Sequence, residues 1–138
     1  ETDTLNLLFL GKLDWRPNRE GLAWFIQYVF EQIKHPKYKV QLAIVGSGEN
    51  DWLNPLMKNR NIHCYGRVDD ITEFYANSDI VLSPIFFGSG VRIKLLEAAA
   101  FGRTFITTNQ GVEGADFPKD SYFIANDAIG YQFSFKYE

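Results

Sequence analysis

The chain has 138 residues, of which 46% are hydrophobic and 22% are charged, a composition typical of one globular domain and not of a disordered segment. The formal net charge is -3 and no run of Lys or Arg occurs, which argues against a nucleic-acid-binding protein. A single cysteine, Cys64, excludes an internal disulfide, and no apolar run reaches the roughly 18 residues that a membrane span needs.

The same features predict the domain organisation and the compartment. One domain over residues 1–138 is expected, with a core over 1–125 and a tail at 126–138 that fits either a strand or a helix. A start without Met that enters a strand at once indicates a domain of a longer protein. The lone thiol and the absence of a signal-peptide pattern favour a cytoplasmic location.

Strands and helices are predicted to alternate in the first half of the chain. The apolar run Leu5–Leu10 ends at a glycine and predicts a first strand. A helix with one apolar face follows and is expected to end near Pro36; its apolar positions are Leu22, Phe25, Ile26, Val29 and Ile33. Val40–Val45 predicts a second strand, and Trp52–Met57 a short helix.

The second half continues the alternation. Ile62–Tyr65 predicts a third strand, and Asp70 or Thr72 is expected to cap a short helix. Three further strands are predicted at Ile80–Ser83, Thr104–Thr107 and Tyr122–Ala125. Between the fourth and fifth lies a helix from about Gly90 to Phe101, with Gly102 as its left-handed C-cap.

This pattern predicts the fold class. Strands that are apolar on both faces and alternate with helices indicate an α/β, doubly wound, mostly parallel sheet of about six strands with helices on both faces. In the common order 3-2-1-4-5-6, ligands bind at the carboxyl ends of the strands, near the first and fourth. The loops at residues 11–19 and 84–90 are therefore expected to line the site.

The segment after the fourth strand is rich in glycine and opens a helix. Glycines let backbone N–H groups approach a ligand, and a helix N-terminus favours an anion. Arg92 and Lys94 lie in the first turns and can add charge beside a phosphate. One interpretation is a diphosphate-binding site, and the other is an ordinary glycine-rich turn with solvated basic residues.

Glu97 follows Lys94 by three residues and shares a helix face with it. The small residues Ala98–Ala100 let this helix sit close to the sheet, so the carboxylate is expected at the crevice, where it can accept hydrogen bonds from two ribose hydroxyls. The alternative is a Lys–Glu pair on the surface.

A second candidate site follows the first strand. Lys12, Arg16 and Arg19 lie within eight residues at the predicted switch point and can neutralise a phosphate; Lys12 is favoured, and the two arginines fit a solvated helix start equally well. The turns at Gly46–Gly48 and Gly66–Arg67 and the loop 107–114 meet the same edge, although tight turns need no ligand. No dinucleotide, P-loop or nucleophile-elbow motif is present, and no metal-ligand spacing occurs.

The ordered motifs resemble a known family. They are Gly88-x-Gly90-x-Arg92-x-Lys94-x-x-Glu97-Ala98-x-Ala100-x-Gly102, then Thr107-Thr108 and Gly111-Val112-Glu113-Gly114, preceded by Trp15-x-Pro17-Asn18, Ile44-Val45-Gly46-x-Gly48 and Gly66-x-Val68. Together they resemble the C-terminal nucleotide-sugar-binding domain of GT-B fold glycosyltransferases of the group 1, or family 4, class. The resemblance covers the chain to about Ala125.

The resemblance implies a role for each matching residue. Glu97 would hold the ribose hydroxyls of the donor, Ser89 and Gly90 would face its diphosphate, and Arg67 and Val68 would lie by the base. Lys12, together with Arg16 or Arg19, would neutralise the leaving diphosphate. Lys12 and Lys94 are the candidate catalytic residues, and Gly11, Arg16 and Arg92 are further candidates for donor binding.

The implied reaction is hexosyl transfer from a UDP or GDP sugar to an acceptor hydroxyl, usually with retention and with neither a metal nor another cofactor. It would serve polysaccharide or glycoconjugate biosynthesis. The glycan or lipid-linked acceptor would bind an N-terminal domain absent from this chain, so the fragment alone is expected to be inactive; peripheral membrane association of the full-length enzyme is compatible with this role.

One departure from the family pattern leaves alternatives open. Many members carry a second glutamate eight residues before Glu97, where this chain has Ser89, so the donor sugar and the stereochemical outcome stay open. A non-catalytic interaction domain of the same fold, or half of a sugar-nucleotide epimerase, are the alternatives.

Overall fold

A computed structural model describes residues 3–33, 38–87, 97–108 and 122–124. Within these residues six parallel strands form one sheet in the order β3-β2-β1-β4-β5-β6. The strands are β1 Asp3–Leu10, β2 Tyr38–Val45, β3 Ile62–Gly66, β4 Ile80–Ser83, β5 Thr104–Thr107 and β6 Tyr122–Ile124. The predicted parallel α/β sheet and its strand order are confirmed.

The first helix ends earlier than its apolar periodicity predicts. Helix α1 spans Arg16–Tyr28, and the chain continues as a 3-10 turn over Phe30–Gln32. Val29, which joins the two elements, and Phe30 of the turn remain buried, so the apolar positions reach the core although the α-helix has stopped. The predicted extension of one helix to Pro36 is therefore wrong.

The second predicted helix is also of the tighter type. Residues Asp51–Leu56 form a 3-10 helix that contains Pro55. Proline has no N–H to donate to the preceding turn, which disfavours a regular α-helix here. Helix α2 covers Thr72–Asn77, and the Asp70 carboxylate accepts a hydrogen bond from the Thr72 amide at 2.9 Å, which lowers the pKa of Asp70.

A helical segment at residues 97–100 leads into β5. It ends at Gly102, whose φ of +72° is left-handed, and the amide of Arg103 donates to the carbonyl of Ala98 at 2.9 Å. The predicted glycine C-cap is confirmed.

Two hydrophobic cores cover the two faces of the sheet. On one face Leu7 and Phe9 of β1 pack with Leu22 and Phe25 of α1. The core of the other face joins β-strand residues to α2 and to the segment at 97–100; its buried members are Leu8, Val45, Tyr75, Val81, Ala98 and Phe105. Helices therefore lie on both faces, as the strands' two-sided apolar character predicts. No helix in the described ranges has the length and apolarity needed to cross a bilayer.

Candidate functional site

A cleft of about 330 Å³ opens at the carboxyl ends of the central strands. Its walls include five of the residues singled out in the sequence: Gly11, Lys12, Arg67, Val68 and Glu97. They come from the turn after β1, the turn after β3 and the helical segment before β5. The strand order thus brings together residues that are far apart in the chain, at the edge where doubly wound folds bind ligands.

Backbone hydrogen bonds tie the strand-end turns together. The Gly11 amide donates to the Val45 carbonyl at 3.0 Å, and the Gly46 amide donates to the Gly66 carbonyl at 2.9 Å. The Leu13 amide reaches the Ser47 carbonyl at 2.7 Å. Because these bonds use the main chain alone, they fix the floor of the cleft independently of the side chains that face a ligand.

The loop that carries Lys12 is held by two side chains from other elements. The Asn18 side-chain amide donates to the Lys12 carbonyl at 3.0 Å, and the Trp52 indole N–H donates to the Leu13 carbonyl at 3.0 Å. Asn18 itself is buried at the start of α1. These contacts position the Lys12 backbone. They do not involve its ammonium group, whose position depends on solvent and neighbouring charges.

The Lys12 side chain is 67% exposed and its ammonium lies 3.9 Å from the Asp14 carboxylate. An exposed ion pair at this separation contributes little to stability. The ammonium can therefore leave Asp14 for an anionic ligand at small cost.

Glu97 lies in the opposite wall and is half-buried. The next residue, Ala98, is fully buried in the second core, so the helical segment sits close to the sheet. This packing brings the Glu97 carboxylate to the cleft, where it faces the loop that follows β1.

Arg67 and Val68 complete the wall at the end of β3. The Arg67 guanidinium lies 3.4 Å from the Asp69 carboxylate and is largely exposed, while Val68 packs against the second core. The cleft therefore offers two exposed cations, a carboxylate and apolar side chains that include Val68. Such a set can bind a ligand that combines an anion, a flat apolar group and hydroxyls.

The other predicted site residues stand apart from this group. Arg16 is outside the cleft wall: its guanidinium binds the Glu20 carboxylate and lies 5.5 Å from the centroid of the Phe87 ring. Arg19 is exposed on α1. Ser89, Gly90, Arg92 and Lys94 lie outside the described residues.

Some residues with a part in the cleft were not predicted as site residues from the sequence. Ile71 lines the cleft, and Asn18 and Trp52 hold its first loop. Asparagine is common at helix starts because its side chain bonds to nearby backbone groups. This preference could have indicated the role of Asn18. Nothing in the sequence pairs Trp52 with Leu13, because the two belong to separate elements. In the described part of the chain, no three His, Cys, Asp or Glu side chains group as a metal site.

The comparison with known proteins identifies the family. A family model described as "Glycosyl transferases group 1" matches residues 4–130. The chain belongs to the group 1 glycosyl transferases. An uncharacterized 44.6 kDa protein in the cps region of Klebsiella pneumoniae is 27% identical over 133 residues, which are 90% of this chain and 34% of that protein. The chain thus spans about a third of the length of this relative.

Solved glycosyltransferases share the fold of this group 1 chain. A glycosyltransferase from Rickettsia africae ESF-5 superposes with a TM-score of 0.75 and 17% identity, over 99% of this chain and 38% of that one. The pneumococcal O-GlcNAc transferase GtfA, solved in complex with UDP and GlcNAc, superposes with a TM-score of 0.60 and 19% identity. The match covers 98% of this chain and 29% of GtfA. The resemblance to a GT-B glycosyltransferase domain is therefore confirmed.

Proposed function

We propose that this chain is the donor-binding domain of a glycosyltransferase that moves a hexosyl unit from a nucleoside diphosphate sugar to an acceptor hydroxyl. The observation that carries the proposal is the placement of Lys12, Arg67 and Glu97 around one cleft at the carboxyl edge of the sheet. Cations and a carboxylate in so small a space suit a ligand with an anionic part and a hydroxyl-bearing part.

Each wall of the cleft receives one part of the ligand in this proposal. Glu97 accepts hydrogen bonds from the ribose hydroxyls, and Lys12 neutralises the diphosphate. The base lies against Val68, with Arg67 beside it. Ser89, Gly90, Arg92 and Lys94 are proposed to add N–H groups and charge to the diphosphate from the segment between Phe87 and Glu97.

The chain's contribution to catalysis would be electrostatic. When the bond between the sugar and the diphosphate breaks, negative charge grows on the departing phosphate oxygens. Lys12 and Lys94 would stabilise that charge from fixed positions, which lowers the barrier without a proton transfer. Retention of the anomeric configuration, with no metal and no other cofactor, remains part of the proposal.

The whole enzyme would be larger than this chain. The chain spans only 34% of its curated relative, and we propose that an N-terminal domain binds the glycan or lipid-linked acceptor. The isolated chain would then bind the donor without turning it over. A cytoplasmic location, peripheral membrane association of the full-length enzyme and a role in polysaccharide or glycoconjugate synthesis belong to the same proposal.

Nucleotide binding tests the proposal directly. UDP is the first probe because the pneumococcal relative was solved with it, and GDP and ADP complete the set. We expect one of them to raise the melting temperature of the chain at millimolar concentration. Glu97→Gln should remove the shift, whereas Glu73→Gln, at an exposed glutamate of α2, should retain it. A chain stabilised by no nucleotide would instead favour a non-catalytic interaction domain.

A further inference from the structure

Tyr75 occupies the centre of the second core. It lies on α2, is 0% exposed, and belongs to the cluster formed by Leu8, Val81 and Phe105. Its ring stacks on Phe101 with centroids 4.6 Å apart and planes inclined by 12°. A phenylalanine would fill this space and make the same stack, so packing alone does not account for a tyrosine.

The hydroxyl is the feature that needs an explanation. The Tyr75 oxygen is buried and has no hydrogen-bond partner among the residues that the structure describes. Burying a hydroxyl without a partner costs free energy, because its hydrogen bonds to water are lost. Buried polar groups are nearly always paired, so an unpaired one calls for an explanation, and a part in a functional site is one.

Glu97 belongs to the helical segment on which the Tyr75 ring packs. Phe101 follows Glu97 by four residues, and its amide donates to the Glu97 carbonyl at 3.0 Å, so the two side chains share one helix face. The Tyr75 ring therefore lies beside the segment that carries Glu97, since it stacks on Phe101 and packs with Ala98. Burial raises the pKa of Tyr75 and the negative charge of Glu97 raises it further, so the hydroxyl keeps its proton and acts as a donor.

We propose that Tyr75 is a positioning residue for Glu97: when the cleft is occupied, its hydroxyl donates to one carboxylate oxygen and turns the carboxylate toward the ligand's pair of hydroxyls. A carboxylate has lone pairs enough to accept from Tyr75 and from two ligand hydroxyls together. This inference rests on the proposed function, because the ribose of the donor is the group that Glu97 would then hold.

The Tyr75→Phe variant isolates the hydroxyl. The wild-type chain is titrated calorimetrically with UDP, GDP and ADP, and the diphosphate that binds is compared with its 2′,3′-dideoxy form. We expect Tyr75→Phe to weaken the ribonucleotide about tenfold, the scale of a hydrogen bond to a charged group. The affinity for the dideoxy form should not change, because that ligand has no hydroxyls for Glu97 to accept.

Two controls separate positioning from packing. At neutral pH the melting temperature of Tyr75→Phe should equal or exceed that of the wild type, because an unpaired buried hydroxyl has been removed. Tyr65→Phe, at a tyrosine that is 53% exposed, should change neither affinity nor stability. In a Glu97→Gln background, Tyr75→Phe should cause no further loss of affinity, since the two residues act as one unit.

The outcomes distinguish the two claims. Equal binding by wild type and Tyr75→Phe, with Glu97→Gln still deficient, would overturn the role of Tyr75 and leave the proposed function standing. Equal losses for the ribonucleotide and the dideoxy form would also overturn it. A wild-type chain that binds none of the three diphosphates would overturn the proposed function and this inference with it.

Discussion

A Cβ atom added to Gly46 would lie 1.6 Å from the carbonyl oxygen of Gly11. The turns after β1 and β2 therefore touch through their main chains, at the floor of the cleft. No side chain fits between them, so the identity of residue 46 decides whether the two turns can stay in register.

Gly46→Ala should disrupt both stability and ligand binding. The methyl group would push the turn that carries Lys12 away from β2, and we expect a loss of about 2 kcal/mol or more, the scale of an overpacked core. Denaturant unfolding measures the change. Ser47→Ala, one position further along, adds no atoms and is the matched control. A fully stable Gly46→Ala chain would contradict this contact.

Gly21→Ala tests the packing of α1 on the sheet. In a solvent-exposed helix this change stabilises by about 1 kcal/mol, because alanine is the better helix former. Here the new Cβ would lie 1.9 Å from the Pro84 carbonyl oxygen, so the helix has to move. We expect net destabilisation in thermal unfolding. A rise in melting temperature would contradict the close contact between Gly21 of α1 and Pro84 after β4.

Lys12→Met should weaken nucleoside diphosphate binding about tenfold, because a charged hydrogen bond to the phosphate is lost. Uridine, which has no phosphate, should bind both chains alike. Lys39→Met removes an exposed lysine of β2 that is outside the cleft, and controls for net charge. Equal losses of nucleoside diphosphate affinity in Lys12→Met and Lys39→Met would exclude a local role for Lys12. Calorimetric titration gives each affinity.

Trp52→Phe should loosen the loop after β1. The ring would be retained in large part, while the 3.0 Å bond from the indole N–H to the Leu13 carbonyl would be lost. We expect about 1 kcal/mol less stability in denaturant unfolding. Nucleotide affinity should fall with it, because Lys12 precedes Leu13. Unchanged affinity despite the loss of stability would show that this bond anchors the loop without contributing to nucleotide binding.

The buried hydroxyl of Tyr75 also predicts an alkaline limit to stability. Its pKa is raised in the folded chain above the ordinary value of 10.0, so the unfolded chain loses this proton first as the pH rises. Ionisation of this group therefore leaves stability unchanged below about pH 10 and lowers it as the pH rises further. Melting temperatures taken from about pH 9 to 11 should fall less steeply for Tyr75→Phe than for the wild type. Tyr28→Phe, at an exposed tyrosine, should follow the wild type.

The strands could be predicted because each is a short apolar run bounded by glycine, proline or polar residues. The predicted bounds of Ile80–Ser83 match β4 residue for residue. The end of α1 could not be predicted, because its apolar spacing continues through a 3-10 turn that buries the same face. Hydrophobic periodicity reports which residues are buried and does not distinguish the two helix types.

The candidate site was predictable to the extent that topology decides it. The predicted strand order requires Gly11, Arg67 and Glu97 to approach the same edge of the sheet. The direction of the Arg16 side chain was not predictable, because it depends on two competing partners, Glu20 on its own helix and Phe87 beyond β4. The contact between Trp52 and Leu13 likewise depends on packing between elements.

The stacking of Arg16 on Phe87 links the start of α1 to the last described residue before the glycine-rich segment. An arginine with no place in the cleft wall can thereby help to fix the position of the Phe87 ring. Shortening this side chain would remove that contact and leave more of the Phe87 ring in solvent. A loss of nucleotide binding after substitution at position 16 would then report on the Phe87 ring, not on charge lost from the cleft wall.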